Sequence, residues 1–235
     1  MHNVGLVIAT LVGRAVPYTR PGTRSAIAKK PVTGPIGVDR AGMAGDEQGD
    51  TRAHGGPDKT LHLYAFEHYA DWRHDLHGSD AHDALTLLEA PGAFGENLAT
   101  RGLTEEQVCI GDRLRVGSAL LEVSQARQPC WKLNDRFGVR DMARRVQQTM
   151  RSGWYCRVIE PGTLQAGDAI VLLERPWPTW PLTRLMELLY RRTLDRALLR
   201  EAQALPLVPS WQRVVERRLA EGTVEDWSAR LDGPG

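Results

Sequence analysis

The chain has 235 residues and carries 30 Lys and Arg against 29 Asp and Glu, a formal net charge of +1. At about 100–200 residues per domain that length allows one or two domains, and 42% apolar with 25% charged residues is the make-up of a soluble globular protein. The near-neutral total argues against a nucleic-acid polymer or an anionic membrane surface as partner. It also hides a bias, because residues 1–38 hold no Asp or Glu yet contain Arg14, Arg20, Arg24, Lys29 and Lys30. They carry +5 and the other 197 residues carry −4. Only four of the basic residues are lysines: Lys29, Lys30, Lys59 and Lys132.

No apolar run reaches the ~18 residues of a membrane helix. The apolar stretch at 4–13 has no Lys or Arg ahead of it, which speaks against a secretory signal. Cys109, Cys130 and Cys156 are odd in number and far apart, so they fit neither a disulfide framework nor an Fe–S cluster. A reducing cytoplasm is the expected compartment. There is no GxGxxG and no Walker motif, and nothing that marks a flavin or nicotinamide site.

In chain order, residues 4–12 are β-branched and apolar and read as a strand. Short extended pieces follow at 25–32 and 36–39, on either side of Thr33-Gly34-Pro35. Residues 60–64 (TLHLY) form a strand that runs into a helix over 67–76. Residues 110–115 and 119–124 flank Val116-Gly117-Ser118 as a hairpin. One helix is predicted over 135–151, capped by Gly153. Strands return at 154–160 and 168–173, separated by a turn at Pro161-Gly162. Many short strands at this spacing favour a closed, barrel-like sheet. Three prolines between Pro176 and Pro181 form a stiff linker. Beyond it, 182–192, 194–205 and 211–221 have helical spacing. The expected organisation is thus a β-barrel-like domain at 1–175 and a three-helix extension at 176–235. The extension holds nine Arg against eight acids, so it offers no basic DNA-binding face; packing or homodimer formation is its expected role.

Three loops concentrate polar residues. The first contains Gly45-Asp46-Glu47-Gln48-Gly49-Asp50 and His54-Gly55-Gly56-Pro57-Asp58-Lys59. Two glycines after a histidine suit an anion-binding nest beside the Lys59 charge, and equally a tight turn with a solvated Asp-Lys pair. The second, Pro91 through Leu98, offers Glu96 and Asn97 either to read a heterocycle edge or to close a turn. The third holds Cys130, which follows a strand and a proline with Arg127 and Lys132 close by. Cationic neighbours favour a thiolate, the form that attacks or binds soft metals. Cys109 and Cys156 lie in apolar strand patterns and read as inert. His68, His74, His77 and His82 read as a solvated helix face, and they lack metal-ligand spacing.

Together these residues resemble the MOSC domain, in its YiiM-type branch. The resemblance rests on Ser25-Ala26-Ile27-Ala28-Lys29 with Pro31 and Gly34-Pro35, then Gly45-Asp46 with Gln48 and Asp50. It continues through His54 to Lys59, Gly92 to Leu98, Arg127 with Pro129-Cys130, and Gly153-Trp154-Tyr155 with Arg157-Val158, spanning about residues 3–175. It implies a mainly β, barrel-like fold with peripheral helices that binds a pyranopterin molybdenum cofactor, with Cys130 as the molybdenum ligand. Arg24, Ser25, Lys29, His54, Gly55, Gly56, Lys59, Asn97 and Arg127 are the cofactor-binding candidates, and His54 or Asp46 the candidate proton donor. The resemblance implies reduction of small N-hydroxylated compounds, such as 6-hydroxylaminopurine, to amines. Since the chain shows no Fe–S, flavin or nicotinamide site, the electrons would come from an external flavoprotein. The alternatives are a sulfur or cofactor carrier acting through Cys130, and a non-enzymatic binding module.

Overall fold

A computed structural model describes residues 2–49, 55–78, 82–191 and 193–233. Seven strands close on themselves: β1 (His2–Val12), β2 (Leu61–Ala65), β3 (Leu98–Arg101), β4 (Arg113–Val116), β5 (Ala119–Ala126), β6 (Trp154–Glu160) and β7 (Ala169–Glu174). Around the ring their order is β7-β4-β5-β6-β2-β3-β1, and β1 pairs back onto β7. Every neighbouring pair is antiparallel except β2–β3, where Leu63 lies beside Leu98 in a parallel register. A parallel pair needs a long crossover. Helices α1 (His68–Leu76) and α2 (His82–Leu87) lie in it.

Alternation along the strands decides what faces inward, because successive side chains leave opposite faces. Leu61, Leu63, Val123, Ala126, Trp154 and Cys156 join the barrel core. Tyr64, on the opposite face of β2, belongs to a second core with Tyr69, Trp72, Phe94, Leu133 and Phe137, between the barrel wall and the helices. All five residues of β2 are therefore buried. Helices α3 (Lys132–Phe137) and α4 (Met142–Thr149) complete this outer layer.

The predicted hairpin at 110–124 is β4–β5, with Gly117 at φ +56 in its turn. Other expectations need correction. The helix expected over 135–151 is α3 plus α4, because Gly138 adopts φ +64 and caps the first. Gly153 caps neither; α4 ends at Thr149 with Met150 as its cap, itself left-handed at φ +59, and Gly153 immediately precedes β6. Residues 25–32 do not form one extended piece. Arg24–Ser25 pairs with Val16–Pro17, and Lys30–Val32 pairs with β1. Gly162 belongs to a short strand, Gly162–Leu164, which pairs with Ile36–Asp39.

The C-terminal region forms α5 (Leu182–Tyr190), α6 (Arg196–Gln203), α7 (Pro209–Glu221) and a short α8 (Ser228–Asp232) that the sequence pattern did not suggest. Leu182, Leu185, Met186, Leu199, Trp211 and Val215 are continuous with the barrel core. Arg218 is fully buried; it donates to the Leu188 and Leu189 carbonyls at 2.7 Å and pairs with Glu225 at 2.5 Å. That anchors the turn after α7, and α8 then packs through Trp227 and Leu231 against Ala143 and Tyr190. Among the described residues no helix is long and apolar enough to cross a membrane.

Candidate functional site

On the helix-facing side of the barrel, three neighbouring strands align their outward side chains. Gln125 of β5 lies opposite Tyr155 of β6, and Tyr155 lies opposite His62 of β2. The His62 and Tyr155 rings are 5.2 Å apart. Arg127 lies two positions beyond Gln125 and so leaves the same face. The chain then turns through Gln128-Pro129 to Cys130 and enters α3. His62, Tyr155 and Arg127 line one cleft, and Gln125 and Tyr155 line an adjoining one.

The first cleft collects most of the residues singled out above. Ser25, Lys29, Asp46, Lys59, Asn97 and Cys130 all line it, as does Gly55. Cys130 is 7% exposed. Lys59 lies close enough to Cys130 and Asp58 for a negative charge on either to hold its proton on, while burial pulls its pKa down. Lys29 is also shifted down by burial, opposed by Asp46. Its ammonium pairs with Asp46, and both side chains are almost fully enclosed. Asp46 Oδ1 also accepts from the Gly13 amide at 2.7 Å, and Oδ2 accepts from Asn97 Nδ2 at 2.8 Å. Asp46 is thus an acceptor at both oxygens. This geometry suits an anchor for Lys29 and offers no proton to the cleft.

Asn97 has its amide committed as well. Nδ2 also donates to the Leu11 carbonyl at 3.2 Å, and Oδ1 accepts from the His62 amide at 3.1 Å. It joins β1 to β2 rather than reading a ligand edge. Glu96 is fully buried and turned away from the cleft, accepting from the Gly92 and Phe94 amides and from the Tyr69 hydroxyl. Ser25 Oγ accepts from the Ile27 amide at 3.2 Å. Gly56, at φ +85, precedes the single turn Pro57–Lys59 and does not line the cleft. His54 and Asp50 lie outside the described residues.

Arg24 sits elsewhere. It is exposed, donates to the Ala15 carbonyl, and lines the adjoining cleft of about 610 Å³ with Gln125, Gln128, Trp131, Lys132 and Arg230. Cys130, Lys59 and Tyr155 line both clefts, so the thiol stands on their common wall. Helix α8 holds that wall. The Trp131 amide donates to the Arg230 carbonyl at 2.9 Å, Asn134 Nδ2 donates to the Leu231 carbonyl at 2.8 Å, and the Arg230 guanidinium bonds the Pro129 carbonyl.

Two buried polar atoms at these clefts have no partner: Arg127 Nη1 and Gln125 Oε1. An unpaired buried donor or acceptor costs about 1–3 kcal/mol, more when charged, so each of these atoms calls for a partner from outside the chain, an ordered water or a ligand. Arg127 also helps hold His62 neutral; burial drives that imidazole well below its ordinary pKa and the guanidinium adds to the shift. Burial pushes the Tyr155 hydroxyl up, with Arg127 pulling the other way.

His62, Tyr155 and Gln125 were missed in the sequence because each lies inside an apolar strand run. A period-two reading of β2, β5 and β6 would have set them apart. His68 corrects an expectation too. It is buried, with Nε2 2.6 Å from Glu105 Oε2, rather than on a solvated helix face. Cys109 and Cys156 behave as expected of core thiols, and burial raises both. Among the described residues no three His, Cys, Asp or Glu side chains gather to hold a metal ion by themselves.

A closed mixed barrel with a cysteine loop at its helix-covered wall defines the class. The chain belongs to the MOSC-domain family, whose model matches residues 50–171. Residues 180–222 match the YiiM-like 3-alpha helix domain, which sets the chain in the YiiM-type branch. It is 39% identical to Protein YiiM of Escherichia coli over 212 residues, 90% of this chain and 92% of that one. A protein named Reductase from Gibberella moniliformis is 38% identical over 197 residues, 83% of this chain but 34% of that much longer protein. Among solved structures, Escherichia coli YiiM superposes with a TM-score of 0.78 at 31% identity, covering 96% of this chain and 98% of that one. YiiM from Geobacillus stearothermophilus gives 0.74 at 30% identity, over 92% and 99%.

Proposed function

We propose that this protein is a molybdenum-cofactor-dependent reductase that converts small N-hydroxylated compounds, including hydroxylated purines such as 6-hydroxylaminopurine, to their amines. The observation that carries the reading is Arg127 Nη1. It is a buried cationic donor without a partner, in the cleft that also holds Cys130, Lys29 and Lys59. The pyranopterin cofactor associated with MOSC domains is anionic through its phosphate, and its metal takes a soft ligand. Cys130 offers that ligand, while Lys29, Lys59 and Arg127 offer charge and N–H donors. When bound, the cofactor supplies two-electron redox chemistry. Overall, R–NH–OH gains two electrons and two protons and yields R–NH₂ and water.

The chain's own residues hold and enclose. Asp46 fixes Lys29, and Asn97 ties Asp46 to β1 and β2. Tyr155, whose Oη keeps its proton at neutral pH, stands on the floor of both clefts and supplies an O–H donor beside Cys130. The electrons come from outside the chain, and a flavoprotein reductase suits a two-electron acceptor. The test is protein made in a cofactor-competent host, assayed with 6-hydroxylaminopurine and a chemical reductant. Stoichiometric molybdenum and turnover are expected, with molybdenum absent from a folded Cys130→Ser variant. Full molybdenum loading without turnover refutes the reductase reading, and sulfane sulfur on Cys130 without molybdenum would assign a carrier role instead.

A further inference from the structure

The adjoining cleft is the larger of the two and has a one-sided charge. Arg24, Lys59, Lys132 and Arg230 line it, and no Asp or Glu is among the described residues of its wall. Three of these cations donate to neutral acceptors. Lys132 Nζ donates to the Arg24 carbonyl at 2.7 Å, Arg24 donates to the Ala15 carbonyl, and Arg230 donates to the Pro129 carbonyl and to Gln147 Oε1. The acids nearby are spent on other partners: Glu47 accepts from Arg14 and the Ala15 amide, and Glu225 from Arg218. Burial lowers the pKa of Arg230, opposed first by Tyr190 and then by Cys130. Four cations facing one cavity without carboxylates favour a dianion.

A second, independent feature lies on the floor of the same cavity. Gln125 is 1% exposed, and its Oε1 has no hydrogen-bond partner. A glutamine carbonyl is the group that accepts from the exocyclic amine of adenine. We infer that this cleft is a phosphomonoester subsite for the substrate, so that the chain acts on N-hydroxylated purine nucleotides in preference to free bases, with the base over Gln125 beside Cys130 and the phosphate among Arg24, Lys132 and Arg230. The inference rests on the reductase reading for the reaction. The subsite itself stands on the charge and on the unpaired acceptor. It also gives α8 a part in recognition, since Arg230 comes from that helix.

The test is equilibrium binding of adenine, adenosine and adenosine 5′-monophosphate, the last an analogue of the amine product, to molybdenum-loaded protein at low and high salt. The monophosphate is expected to bind at least about tenfold tighter than adenosine, as a pair of charge-assisted contacts supplies. That advantage narrows at high salt. Arg24→Gln and, separately, Arg230→Gln each shrink the monophosphate-to-adenosine ratio at least about threefold, and Arg230→Lys restores part of it. Arg24→Gln guards against misfolding, because Arg24 is exposed and its own carbonyl still receives Lys132. Equal binding of adenosine and its monophosphate overturns the proposal. So does loss of molybdenum from both Gln variants with the ratio unchanged, which would assign the subsite to the cofactor's phosphate. Monophosphate preference in protein that cannot reduce 6-hydroxylaminopurine supports the subsite and counts against the reductase reading. Turnover without nucleotide preference does the reverse.

Discussion

Replacing Asp46 with Asn removes one charge from a pair that is almost wholly enclosed: the Lys29 side chain is 8% exposed and that of Asp46 is 3%. Asn keeps the shape and can still accept from Gly13, but it leaves the Lys29 ammonium buried without its counter-ion. Breaking such a pair from one side costs about 3–5 kcal/mol. For a chain of this size that corresponds to a fall in Tm of about 6–20 °C. The loss should depend on pH. Burial already holds Lys29 below its ordinary pKa, and Asp46 is the main group that raises it, with a smaller contribution from Glu96. Without Asp46 the folded-state pKa falls further below the unfolded value, so the native state binds fewer protons than the unfolded chain across a wider window. Stability then rises with pH through that window. The penalty of Asp46→Asn should therefore be largest near pH 6–7 and shrink toward pH 10, where Lys29 sheds its proton at less cost. Urea unfolding of wild type and variant at both ends of that range measures the difference. The double variant Lys29→Met/Asp46→Leu should lose less than Asp46→Asn alone, because no lone charge remains. A penalty under about 1 kcal/mol, or one equal at the two pH values, would refute the reasoning.

Other predictions follow from the same geometry. Arg127→Gln should raise the melting temperature of cofactor-free protein, by about 1 kcal/mol of stability, since it removes a buried unpaired donor, while lowering molybdenum retention; melting curves and metal analysis read the two effects, and a loss in the cofactor-free form would contradict the assignment. Gly153→Ala places a Cβ 2.4 Å from the Leu63 carbonyl and 2.6 Å from His62 Nε2 at a backbone φ of +72. It should cost about 3–5 kcal/mol and shift the His62 ring resonances in NMR spectra. Ending the chain after Glu225 removes α8 and its bonds to Trp131, Asn134 and Pro129. Amide exchange at Trp131 should then speed up at least about tenfold while the amides of β5 and β6 keep their protection.

The barrel was legible because inward positions such as Leu121, Val123, Cys156 and Val158 alternate with polar partners, and because Gly117 signals its turn. The cysteine loop was legible for a different reason: Cys130, Arg127, Lys59 and Lys29 stand near glycines and prolines, outside the apolar strand runs, and the structure brings all four to one cleft. What escaped was hidden by context. His62 and Tyr155 sit in strands dense with apolar residues, so a core role masked their outward face. Glu96 and Asn97 read as ligand groups because a sequence does not reveal that buried amides at 92 and 94, or the carbonyl of Leu11, would consume them. Helix α8 is five residues long, too short for periodicity to register, and only its contacts with the Cys130 loop give it meaning.

That late helix sets an order of events. Synthesis runs from the N-terminus at about 5–20 residues per second, so the segment that clasps the Cys130 loop emerges roughly 5–20 s after the cysteine itself. β1, at the other extreme, waits for β7 before the ring can shut. During that interval the Cys130 loop lacks the bonds that α8 makes to Pro129, Trp131 and Asn134. The wall between the two clefts is thus among the last surfaces to form.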